Sequence, residues 1–146
     1  MRVRPFFRFL SAARATVIGL SAALRAPLLV RGSRLRSALE AQVDRNEKLV
    51  DVDSELVAAL RIANGFIRQL SRTRTGWKNT CLYRSAAQYL VLKDYGRAAA
   101  IRIGVKRPAH YDDGDVTAHS WVLHDGPEPV QDTDTSYEEL ALSRRS

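Results

Sequence analysis

Apolar residues recur along the first part of the chain at steps of three and four: Phe6, Leu10, Ala13, Val17, Leu20 and Leu24. Residues so spaced share one side of an α-helix. A helix is predicted over about 6–24, closing before Pro27, which disfavours helix at its predecessor. A short helix follows around Leu35 to Val43. The next is clearer: Asp53 or Ser54 is placed to cap it, and Leu56, Leu60, Ala63, Ile67 and Leu70 repeat at helical steps. Arg72 and Arg74 suit its negative end, and Gly76 breaks it. Thr80 then reads as the N-cap of a helix starting at Cys81. Leu82, Ala86, Tyr89 and Leu90 form its apolar face, and Gly96 is its left-handed C-cap.

After Gly96 the period changes from helical to alternating. Ala99, Ile101, Ile103 and Val105 interleave with Ala100, Arg102 and Gly104, the pattern of a half-buried strand. A polar loop, Lys106 to about Val116, leads to a second strand over Thr117–His124. Asp125-Gly126 is a hairpin turn signal. A third strand is predicted from Glu128 to about Thr133, as an edge strand because Pro127 and Pro129 lack amide donors. Helices followed by an antiparallel sheet predict an α+β fold, and 146 residues fit a single domain. Its expected parts are a helical segment, 1–75, and a core, 76–135.

Charge adds a possible partner to this picture. The 23 Lys and Arg outnumber 16 Asp and Glu, for a formal +7. Arg2, Arg4, Arg8, Arg14, Arg25, Arg31, Arg34 and Arg36 crowd the start, and the acids cluster late. Such a surface suits an acidic peptide, a nucleic acid or an anionic membrane, but an Arg-rich soluble surface explains it as simply. Arg2 and Arg4 before an apolar run imitate a signal peptide. The helical stripe, and the interruptions at Arg14 and Arg25, favour instead a packed or surface-lying helix, with peripheral membrane contact left open. The single cysteine, Cys81, excludes an internal disulfide and fits a reducing, cytoplasmic setting.

Cys81 is the first candidate for chemistry. The partial positive charge and open amides of a helix start favour a nucleophilic thiolate and can receive an oxyanion. A lone cysteine is more often a small buried apolar residue, so a base is needed. His119 shares its strand face with Trp121 and Leu123, while Ala118, Ser120 and Val122 face the other way. If the Trp121 face packs on the Cys81 helix, the imidazole points at the thiol. A two-residue turn at Asp125-Gly126 pairs His124 with Pro127, and hence His119 with Asp132, whose carboxylate would orient the ring. Asp134 takes that place if the register slips; Asp125 reads as a turn residue. A zinc site of Cys81, His119 and Asp132 lacks any paired Cys or His spacing and ranks below the triad. No cofactor is called for. Arg84 is a candidate for binding substrate or partner and equally for pairing with an acid.

These motifs resemble a known family. "NTCLYRSAAQYLVLKDYG", "AAAIRIGV" and "AHSWVLHDG" with a later Asp are similar to the transglutaminase-like cysteine peptidase domain of lasso-peptide B proteins. Cys81, Leu82, Arg84, Ser85, Gly96, His119, Trp121 and Val122 match its pattern. Ser120 replaces the usual Ala, and the acid comes one place late, at Asp132. The resemblance implies a transglutaminase-like/papain-like core, with the nucleophile helix packed on a small antiparallel sheet. It implies a peptidase that frees a lasso peptide from the leader of its ribosomally made precursor. Its partners would be that precursor, a small separate leader-recognition protein and an ATP-dependent lasso cyclase, with no nucleic acid expected. Two rivals stand beside it: acyl transfer on the same scaffold, and a non-catalytic basic module for nucleic acid or anionic membrane in which Cys81 is inert.

Overall fold

The computed structural model describes residues 5–43, 54–73, 80–106, 117–125 and 138–139. Four helices precede three strands: α1 (Pro5–Arg31), α2 (Arg34–Glu40), α3 (Ser54–Ser71), α4 (Cys81–Asp94), β1 (Ala99–Lys106), β2 (Thr117–His124) and β3 (Glu138–Glu139). The fold is α+β, as the pattern predicts.

The first helix is longer than expected, because Pro27 lies inside it. Proline removes one helical donor, but Ala26, Pro27 and Leu29 are all buried, and their packing holds the last turn together. The smaller helix α2 spans Arg34–Glu40 rather than reaching Val43. From β1, the guanidinium of Arg102 donates to the carbonyls of Leu39 (2.8 Å) and Ala41 (2.9 Å) at its end. Orphan helix carbonyls thus gain a charged donor. Helix α3 begins at Ser54; Asp53 and Gly76 lie outside the described residues.

Helix α1 packs along α3 and α4, and α4 in turn lies on β1 and β2. Sandwiched so, α4 buries more than one stripe. Tyr83, Ser85, Ala86, Ala87, Gln88, Val91 and Leu92 are buried, whereas Leu82, Tyr89 and Leu90 of the expected apolar face are only half-buried. Two polar links tie the helices at their edges. Arg25 of α1 pairs with Asp94 at the end of α4. Tyr95 donates to Glu55 of α3 (3.0 Å), and Arg14 lies over the Tyr95 ring.

Gly96 ends α4 at φ +72°. Its amide donates to the Lys93 carbonyl and that of Arg97 to the Leu92 carbonyl, each at 2.9 Å. This closure needs the left-handed conformation that glycine adopts without strain. The chain then reverses into β1, which pairs antiparallel with β2 from Ala99↔His124 to Lys106↔Thr117. The sheet order is β2-β1-β3. The described third strand therefore pairs with β1, Gly104↔Glu139 and Val105↔Glu138. The segment expected to follow β2 as a hairpin strand, 128–133, lies outside the described residues.

Candidate active site

Cys81 is the first residue of α4. Thr80 caps the helix from an extended conformation, its hydroxyl accepting from the Tyr83 amide at 3.3 Å. The Cys81 and Leu82 amides precede any possible intrahelical acceptor, so this end offers donors beside the sulfur. The thiol is half-buried.

One contact fixes α4 against the sheet. Ser85 Oγ and Ser120 Oγ lie 3.2 Å apart, and both residues are fully buried or nearly so. Two small side chains let helix and strand approach closely, and Val122, Ile101 and Ala99 continue the contact as part of the core. Ser85 is one turn beyond Cys81 on the same side of α4. Ser120 is the residue after His119. Since β1 reverses the chain and β2 reverses it again, β2 runs in the same sense as α4. The starts of α4 and β2, carrying Cys81 and His119, thus lie at the same end of the fold.

The face assignment of β2 requires a correction. The expectation puts the Trp121 face on α4. Instead the Ser120–Val122 face packs there, and strand alternation sends His119 and Trp121 to the opposite side. Their rings stack at 6.3 Å between centroids, 19° from parallel. Opposite His119 stands Gly104, which leaves space beside the imidazole. The structure therefore joins the two elements at the right level and stacks the His119 ring on Trp121.

Asp132 and its alternative Asp134 lie outside the described residues. Asp125 is a latch at the other end of β2. Its amide donates to the Ala98 carbonyl (3.2 Å), and its carboxylate accepts from the Ala98 amide (3.3 Å) and faces Arg97. Asp125 thus continues the pairing of β2 with the start of β1, and the turn expected at Asp125-Gly126 reaches outside the described residues. His124 sits beside Asp125, half-buried and opposite Ala99. Near the cysteine, Arg84 Nε is buried with no hydrogen-bond partner. Among the described residues, no group of three His, Cys, Asp or Glu is placed to hold a metal. The Ser85–Ser120 dock was not anticipated; a small residue four after the cysteine and another next to the histidine were its only trace in sequence.

A family model described as the transglutaminase-like superfamily matches residues 12–143. No curated protein and no solved structure matches the chain.

Proposed function

The chain belongs to the transglutaminase-like superfamily, and from that premise we propose that it is a cysteine peptidase that cuts the leader from a ribosomally made lasso-peptide precursor. The superfamily includes cysteine peptidases and acyltransferases. The observation that carries the reading is a lone cysteine at the capped start of a helix docked, through Ser85 and Ser120, on the strand bearing His119. Support for the finer assignment is the sequence resemblance of the Cys81 and His119 segments.

In this reading the Cys81 thiolate attacks the carbonyl of the leader–core bond. The first-turn amides of α4 receive the oxyanion. Collapse breaks the C–N bond, and His119 protonates the departing core amine. Water, deprotonated by His119, then hydrolyses the thioester and releases the leader carboxylate. His119 acts from the end of β2 that lies level with the start of α4, with Asp132 as its proposed orienting partner. A separate leader-binding protein delivers the precursor, and a cyclase takes the freed core, all in the cytoplasm. If an amine replaces water, the same thioester gives acyl transfer.

The test mixes the chain, the leader-binding protein and the precursor, and reads intact masses. Wild type should release a leader-sized fragment. Cys81→Ala should release none, and His119→Ala should be slower by about 10²–10⁴-fold. Equal release by Cys81→Ala would end the peptidase reading, and a leader fragment carrying an added amine in place of its free carboxylate would redirect it to transfer.

A further inference from the structure

Among the described residues, the strongly exposed large apolar side chains all lie on α1: Phe9 (79%), Leu10 (53%), Val17 (67%), Leu24 (50%) and Leu28 (73%). Leu10, Val17 and Leu24 recur every seven residues and Leu28 follows one turn later, so they form one stripe. It extends over about 27 Å of helix. The opposite side of α1, with Ala15, Ala22, Ala26 and Leu29, is buried in the core. The helix is thus apolar on both sides, a pattern that calls for cover on both, and the fold covers one.

Charge identifies what covers the other. No Asp or Glu precedes Glu40, whereas eight arginines do. Arg14 and Arg31 are exposed along the helix. At the far end of the stripe, Leu28 opens on a cavity of about 310 Å³ with Arg25 and Arg34 in its wall. Leu, Val and Phe beside arginines match a helix lying in the headgroup layer, with its apolar side in the acyl boundary and its cations at phosphate level. By length and composition Phe9–Arg31 would also cross a bilayer, yet about a third of it is buried inside the fold. Crossing would strip α1 from α3 and α4, so the helix lies flat.

We propose that α1 is a peripheral membrane-binding helix that seats the folded chain on an anionic phospholipid surface. This goes beyond the peptidase reading and stands or falls separately from it. With α4 between α1 and the sheet, the Cys81–His119 end remains accessible on a bound molecule.

The test floats the full chain with vesicles of phosphatidylcholine alone or mixed with phosphatidylglycerol. Binding is expected to the mixed vesicles only, and to fall as salt rises. Val17→Glu/Leu24→Glu should weaken it by about tenfold or more with circular dichroism unchanged. Should that variant not fold, Arg31→Glu, an exposed change outside the core, should weaken binding to the mixed vesicles. The proposal is overturned if wild type does not float with phosphatidylglycerol, or if the folded glutamate variant floats as well as wild type. It is equally overturned if wild type is a lipid-free dimer that Val17→Glu/Leu24→Glu converts to monomer, which would assign the stripe to a second copy.

Discussion

Ser85 and Ser120 are each other's hydrogen-bond partner in a region otherwise lined by alanine, valine and isoleucine. A buried hydroxyl left alone costs about 1–3 kcal/mol, whereas replacing both partners by apolar groups can be nearly neutral. Ser85→Ala and Ser120→Ala should therefore each destabilise, and the double variant should lose less than the sum by about 1 kcal/mol. Urea unfolding of the four proteins checks this; strict additivity would mean the pair is not coupled. Ser120→Leu should do more, because a large side chain forces β2 away from α4, and the proposed peptidase activity should fall with it. The same residues show where sequence stopped short. Alternation divides β2 into a His119–Trp121 set and a Ser120–Val122 set, but not which set faces α4. Trp121 looks the better core marker, and it is indeed buried. The choice is made by the fit of two small side chains, which only the partner helix reveals.

Close fit also governs how the helices cross. A Cβ on Gly19 of α1 would lie 2.7 Å from the Ala59 carbonyl oxygen and 2.9 Å from Ile62 Cγ2. The first of these is backbone and cannot swing away. Gly19→Ala should destabilise by about 1–3 kcal/mol, in spite of a gain of about 1 kcal/mol in helix propensity. Gly65 of α3 is the control: nothing lies within 4 Å of its Cβ position. Gly65→Ala should stabilise by about 0.5–1 kcal/mol. Opposite shifts in Tm would establish the α1–α3 crossing; a gain from both would refute it. Elements whose ends are set locally were legible in the sequence: Thr80 as cap, Cys81 as first residue of α4, Gly96 as its stop, and both bounds of β2. Pro27 misled because its local cost is outweighed by burial of its neighbours. The order β2-β1-β3 was not legible, since a turn signal after His124 says nothing about which edge of β1 a later strand joins.

At the scale of the whole molecule, the position of α4 decides how the chain unfolds. It contacts α1 and α3 on one side and β1 and β2 on the other, and one buried cluster runs from Ala15 of α1 through Ala86 and Val91 to Ile101 and Val122. The cysteine end of α4 is therefore positioned by the helical half and the histidine strand by the same helix, so neither half is expected to keep its shape alone. The ion pair of Arg25 with Asp94 adds little at its exposure; shared apolar burial is the link between halves. A single cooperative transition follows. In a Trp77→Phe chain, fluorescence of Trp121 reports the sheet and far-ultraviolet circular dichroism reports mainly the helices. The two urea curves should coincide in midpoint, and Gly19→Ala, a change in the helical half, should move both together. Separate midpoints, or a shift confined to the helical signal, would mean that α1 and α3 form an independent unit and that the geometry around Cys81 is set by α4 and the sheet alone.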